Sequence, residues 1–211
     1  KATFTLVIVN LVIFIVSAVL GSSFVDQFVN RPGDIFAMKF YTLITAGFFH
    51  ANIVHLLGNI LALIVFGRVV ERKFGSAKTL LIYFGALFLS SLFSSLIDFS
   101  IGNTAGGLGA SGAIMGLVAA AILIDPFYFT WVFLIPFPVV IVGWVMIMGD
   151  IIGILNPTAS GIGHFAHLGG FLSIGLLVFL FNQAEKEKMR KGLIINIVTV
   201  IVAIGLWIYL K

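Results

Sequence analysis

Long unbroken apolar runs separated by short polar breaks organise this chain. Seven occur, at about residues 3–20, 41–67, 79–97, 110–124, 130–148, 163–181 and 193–210. Continuous runs of this length predict helices that cross a bilayer, because about 20 mostly apolar residues span its hydrocarbon core. The residue-by-residue alternation of membrane barrel strands is absent. The fourth run is short, about 15 residues before Asp125-Pro126, and a glycine-rich stretch precedes it. That combination predicts a helix that begins below the membrane surface. Polar side chains are concentrated at the starts of three runs. The second opens with His50, His55 and Asn59, the fourth with Gly109-Ala110-Ser111-Gly112, and the sixth with His164 and His167.

Composition agrees with the pattern. Hydrophobic residues make up 61% of the 211 positions and charged residues 9%, against roughly 25% charged in a soluble domain. Mean hydropathy is +1.21. The chain is therefore expected to be an all-α polytopic membrane protein of several spans and short loops, with no room for a soluble domain. It has no cysteine, which excludes disulfides, thiol catalysis and cysteine-ligated metals.

The distribution of basic residues predicts orientation. Lys1, Arg68, Arg72, Lys73, Lys78, Lys186, Lys188, Arg190 and Lys191 fall on one side of a seven-span arrangement, and only Arg31, Lys39 and Lys211 fall elsewhere. Positive loops stay cytoplasmic, so the expectation is a cytoplasmic N-terminus and an outer C-terminus. The first run carries no small-x-small cleavage pattern and is expected to be a span rather than a cleaved signal. Runs two, four and six then all descend from outside to inside. His50, His55, Asn59, Ser111, His164 and His167 arrive at similar depth near the outer face, although they are far apart in sequence.

Ionisable groups within a membrane are functional candidates by default. Serine becomes a nucleophile when a base accepts its proton, and a helix N-terminus offers unpaired N–H groups to a developing oxyanion. The alternative for this run is helix packing, since Gly112 and Gly116 form a small-xxx-small pair. His55 and Asn59, four apart, share a helix face and can both donate to an anionic oxygen; interhelical hydrogen bonding is the other reading. Metal ligation is poorly supported in this run. His50 and His55 are five apart, no acid is near, and His-x-x-x-His spacing is absent. Either His164 or His167 can serve as a general base. Gly169-Gly170 allows the sixth run to pack closely on the fourth. The fifth run, with Phe127, Phe129, Trp131, Phe133, Phe137, Pro136 and Pro138, is a candidate lateral gate or a kinked, lipid-facing helix. The seventh carries Asn196 and Thr199 as its interior polar residues.

These residues resemble the rhomboid intramembrane serine proteases of prokaryotes. His50-Ala-Asn-Ile-Val-His55-Leu-Leu-Gly-Asn59 is similar to the family's second-helix motif, and Glu71-Arg-Lys-Phe-Gly-Ser76 to its following loop. Gly109-Ala-Ser111-Gly112 is similar to the nucleophile motif, and Ala166-His167-Leu-Gly-Gly170 to the catalytic-histidine motif. The resemblance implies a six-helix rhomboid core over residues 1–182, with a cytoplasmic linker and a seventh transmembrane helix over 183–211. It implies a Ser–His dyad, with Ser111 as nucleophile and His167 as general base. His55, Asn59 and the backbone N–H groups of Ser111 and Ala110 would form the oxyanion hole, supported by Gly109, Gly112, Met115 and Gly170. It implies no metal, no cofactor and no nucleic acid. The partners would be membrane lipids and the transmembrane segments of other proteins, cut at a site in the cell membrane that opens to the extracytoplasmic side. Asp98 and Asp150 are the acids near the outer ends of runs three and five; neither sits in a motif, and the implied dyad uses no carboxylate.

Three positions depart from the family pattern. Tyr41-Thr42 stands where Trp-Arg is usual, Met115 where an aromatic packs on the catalytic imidazole, and Ile174 where a small residue is usual, with Gly175 next. An inactive rhomboid-like scaffold would have lost the serine or the histidine, and both are present. A transporter would show more buried acids and an internal repeat, neither of which appears.

Overall fold

The computed structural model describes residues 1–132, 135–156 and 163–210. Helix α1 spans Ala2–Leu20. A long connection follows, containing the short helices α2 (Ser22–Asp26) and α3 (Thr42–Thr45) and two 3-10 turns. Runs two and three are one helical element, α4 (Ile53–Ser100), folded back on itself at Gly75. Gly75 has φ 79° and ψ 171°, a conformation open chiefly to glycine. The first arm begins where the Asn52 side chain accepts the His55 N–H at 2.9 Å, an N-cap that fixes the start of the helix. The remaining helices are α5 (Ser111–Ile124), α6 (Val139–Leu155), α7 (His164–Leu177) and α8 (Gln183–Tyr209). Of these elements, α1, α4 and α8 are long and apolar enough to cross a membrane by length and composition; α5, α6 and α7 are shorter apolar helices. The chain is an all-α polytopic membrane protein.

Helix α5 is the hub. Residues Gly112 to Ile122 are all buried, so a short helix hydrophobic on every face is enclosed by α4, α6, α7 and α8. Its partners approach through small residues. A Cβ built on Gly116 would meet the Ala86 methyl of α4, the Gly170 carbonyl (3.3 Å) and the Ser173 hydroxyl (3.4 Å).

One end of the bundle is clamped by charge. Around the Gly75 turn, Arg72 donates to the Tyr128 hydroxyl at 2.8 Å and its guanidinium lies 5.3 Å from that ring centre. Lys73 pairs with Asp125 at 2.7 Å, and Lys78 pairs with Glu185. Glu71 accepts the N–H groups of Ala2 and Thr3 and the Ser76 hydroxyl, tying α1 to the same end.

The fifth run departs from expectation. Its first residues form an antiparallel hairpin, β1 (Phe129–Val132) and β2 (Ile135–Pro138), pairing Phe129 with Pro138 and Trp131 with Pro136. Pro138 precedes α6 as its N-cap, so no proline lies inside the helix to kink it. The hairpin follows the C-terminal end of α5, beside the Arg72 and Lys73 clamp. Phe127, Phe129, Trp131 and Phe137 therefore lie near the C-terminal end of α5, whereas Ser111 begins that helix; Phe133 lies outside the described residues. Pro136 and Pro138 cannot donate to a ladder, yet a two-stranded hairpin has outer edges on which they are tolerated.

The basic stretch after α7 and the seventh run form the single helix α8, opened by a reciprocal Asn182–Glu185 capping box. Asn196 docks it: the side chain donates to the Ile122 carbonyl at 2.8 Å and accepts from the Trp144 indole at 3.0 Å. Gly192 sits against the backbone carbonyl of Leu123. The contact is with the C-terminal half of α5, away from Ser111. Gly192→Val should undock α8 and cost about 1–3 kcal/mol. Gly175→Ala, whose added methyl meets nothing within 4 Å, should leave stability near the native value. Thermal melts of both variants in detergent micelles check this.

Candidate functional site

The opposite end of the bundle holds the polar clusters. Gly109 has φ 121°, and its N–H donates to the Ala46 carbonyl at 3.0 Å. A Cβ there would lie 2.7 Å from the His55 ring and 3.5 Å from Asn59 Nδ2. The segment leading into α5 is thus laid directly across the His55–Asn59 face of α4. Ala110 is buried and occupies the N-cap position, and Ser111, half-buried, is the first helical residue. The leading N–H groups of α5 have no partner inside the helix. Asn59 Nδ2 is buried and has no hydrogen-bond partner among the described residues.

Helix α7 approaches from the other side. Gly170 is packed against the backbone carbonyl of Gly112, and the Ala166 carbonyl lies 3.5 Å from a Cβ built on Gly112. Gly169 instead meets the Phe93 ring of α4. His167 is three residues, almost one turn, before Gly170, on the side of α7 nearest the start of α5. It also lies within electrostatic reach of His55. The His164 and His167 ring centres are 6.3 Å apart.

Both histidines are bound to an acid that no sequence motif marks. His167 Nδ1–H donates to Asp150 Oδ1 at 2.8 Å, and His164 Nδ1–H donates to the same oxygen at 2.7 Å. Asp150 is 7% exposed. A fifth run ending near residue 148 would put Asp150 in a loop; in the structure α6 continues to Leu155. The available signal is an acid followed by Ile151-Ile152-Gly153-Ile154-Leu155, an apolar pattern that resumes beyond it. Gly153, almost one turn on, faces the His164 ring and makes room for it beside the carboxylate. Asp98 is engaged elsewhere. It accepts from Ser94 and Asn103, both at 2.8 Å, and closes the loop after α4.

His50 lies outside the helix, 6% exposed. Its ring is edge-on to His55 at 5.1 Å, and neither ring nitrogen has a partner among the described residues. The first loop is anchored without Trp-Arg. Asn30 exchanges backbone hydrogen bonds with Gly107 at 3.0 and 2.8 Å, donates to Ser95 at 2.9 Å and accepts from Thr42 at 3.3 Å. Met115 and Ile174 are buried in the core. The ligand atoms of Asp150, His164 and His167 lie within 4.8 Å of one another, a donor set able to hold a divalent cation. This grouping joins two helices and is not visible in local spacing.

A bundle of apolar helices with serine, histidines and an asparagine gathered at one end defines a polytopic membrane protein with a polar site. The family profile described as a rhomboid domain matches residues 37–184, and the chain belongs to the rhomboid family. It is 29% identical over 216 residues to the rhomboid protease AarA of Providencia stuartii, covering 89% of this chain and 74% of that protein. It is 35% identical over 144 residues to RHOMBOID-like protein 1 of Arabidopsis thaliana (67% of this chain, 34% of the relative). It is 29% identical over 181 residues to the mitochondrial RHOMBOID-like protein 12 of the same plant (78% and 54%). The chain thus spans about half, or less, of the length of these plant relatives.

The positive φ at Gly109 and the His55 ring beside it make this a restrictive position of the site. Gly109→Ala should cost about 1–3 kcal/mol from backbone strain and displace His55. Gly107→Ala, with its nearest neighbour at 4.0 Å, should be tolerated. Thermal unfolding in micelles, with the His55 imidazole resonances as local reporter, separates the two.

Proposed function

We propose that this chain is an intramembrane serine endopeptidase that cuts transmembrane segments of other proteins through Ser111 and His167. The observation that carries the reading is the seating of Gly170 on the Gly112 carbonyl. It brings the first turn of α7, with His167, to the first turn of α5, with Ser111. The rhomboid family supplies the reaction class.

The chemistry follows from these positions. His167 uses Nδ1 for a hydrogen bond, which leaves Nε2 as the atom able to take the Ser111 proton. The serine oxygen attacks the scissile carbonyl. The resulting oxyanion finds Asn59 Nδ2, His55 and the unpaired N–H groups at the start of α5. The buried, unpartnered Asn59 donor supports that role, because a buried amide without a partner is costly unless a ligand uses it. His167 then returns the proton to the leaving amine, and water repeats the cycle on the acyl-serine. The substrate helix hides its carbonyls in its own hydrogen bonds, so a reporter with Gly or Pro in its span and a small residue before the cut suits the site.

The basic loops around Gly75 and at the start of α8 share one end of the bundle. With positive loops cytoplasmic, the site opens to the extracytoplasmic side, the N-terminus faces the cytoplasm, and residues 1–182 form the catalytic core to which α8 is added.

The test uses a fluorogenic single-span reporter in lipid vesicles and an alkyl fluorophosphonate probe. The native chain should cleave the reporter and label covalently, and Ser111→Ala should do neither. His167→Ala should be inactive, whereas His164→Ala should lose less than about tenfold. Asn59→Ala should lower kcat about 10²- to 10³-fold, as loss of one oxyanion donor does in serine hydrolases. A native chain that neither labels nor cleaves would favour a rhomboid-like scaffold and sink the protease reading.

A further inference from the structure

The Asp150 carboxylate is buried in an apolar bundle and carries no cationic Lys or Arg partner among the described residues. Its Oδ1 accepts two imidazole N–H groups, from His164 and His167, at 2.7 and 2.8 Å. A carboxylate in such a place is expensive unless donors satisfy it. Here the donors come from α7 while the acid comes from α6, so the contact also fixes the relative rotation of those helices.

We propose that Asp150 is a positioning residue for His167, which makes the reactive group of this chain a Ser111–His167–Asp150 relay rather than a dyad. The proposal rests on the assignment of Ser111 and His167 above. Accepting the Nδ1–H selects one neutral tautomer of His167, with the lone pair on Nε2. When Ser111 Oγ forms its bond to the scissile carbonyl carbon, the Oγ proton moves to Nε2, Nδ1 keeps its own proton, and the imidazolium is held against the Asp150 anion. As the C–N bond breaks, the Nε2 proton leaves with the amine. Water then adds to the acyl carbon, gives one proton to Nε2, and that proton returns to Ser111 Oγ as the acid product departs. Asp150 exchanges no proton at any step.

His164 has a supporting place. Its ring lies over Gly153, almost one turn beyond Asp150 on α6, and its Nδ1–H approaches the same oxygen as that of His167. The carboxylate is therefore held from α6 by its own backbone and from the start of α7 by His164, which limits the positions from which it can receive His167. Met115 stands where an aromatic ring would otherwise be expected against the imidazole. In this chain a hydrogen bond orients the ring.

The experiment is Asp150→Asn in the full chain, reconstituted in vesicles and assayed on the same single-span reporter, beside Ser111→Ala. Expected is a kcat lowered at least about 10²-fold, towards the ~10⁴-fold loss that a serine protease shows on this substitution, with KM within about twofold of native and an unchanged melting midpoint. In native protein labelled with ¹⁵N-histidine and studied in micelles, His167, assigned by its loss in His167→Gln, should show a strongly downfield Nδ1–H proton. That signal should persist in His164→Ala and disappear in Asp150→Asn.

A native kcat in Asp150→Asn, or absence of the downfield proton from native His167, overturns the proposal. The spectrum of the native protein decides the matter even where Asp150→Asn does not fold. A signal that emerges only after chelation, with activity lost in the same step, assigns the three side chains to a bound cation and also overturns it. Full activity in Ser111→Ala fails the protease reading itself, whereas a silent Ser111→Ala beside a fully active Asp150→Asn fails the relay alone.

Discussion

The close approach of α5 and α7 is the contact on which the rest of the molecule depends. Apolar side chains gain little by leaving lipid for a neighbouring helix, so helices in a membrane associate through tight van der Waals packing and small residues. In this chain Gly170 sits on the Gly112 carbonyl, and one turn further Gly116 faces Ala86, Gly170 and Ser173. Larger side chains at these positions would separate the helices. Ser111 is the residue before Gly112, and His167 is almost one turn before Gly170. The placement of Ser111 and His167 is therefore a consequence of packing that extends below them into the core.

The two ends of the bundle solve different electrostatic problems. At one end Arg72, Lys73 and Lys78 find Tyr128, Asp125 and Glu185, so loop charges join the Gly75 turn to α5, the hairpin and α8. In the interior, hydroxyls and amides turn back on their own helices: Ser173 to the Gly170 carbonyl, Ser90 to Leu87, Asn10 to Leu6. Six buried side-chain atoms have no partner among the described residues: Thr3 Oγ1, Asn10 Oδ1, Tyr83 Oη, both His50 ring nitrogens and Asn59 Nδ2. The unused capacity of Asn59, beside the start of α5, supports the site proposed above, because a buried donor without a partner is costly.

Much of this is legible in the chain because membrane helices advertise themselves. The apolar runs locate every long helix, and the runs and the charge pattern together bring His55, Asn59, Ser111 and His167 to one end. The fifth run misleads for a physical reason. Phe129–Val132 and Ile135–Pro138 are as apolar as a span, and hydropathy does not distinguish a hairpin from a helix when prolines are its main difference. Neither proline kinks a helix: Pro136 lies within β2, and Pro138 ends that strand and precedes α6 as its N-cap. The end of that run misleads too, because a charge at Asp150 resembles the limit of a span.

Asp150 shows why the missing part of the site could not come from motifs. A motif reports residues that one helix presents together, whereas Asp150 meets His164 and His167 only after α6 is placed against α7. Its ionised form is tolerable at 7% exposure because two N–H donors replace water, and each imidazole is in turn fixed by the acid it satisfies. Gly153 completes the arrangement by admitting the His164 ring. The acid, both histidines and the glycine thus form one interlocked polar contact between two otherwise apolar helices. Such a contact orients the His167 ring through Asp150 in a chain that carries methionine at position 115.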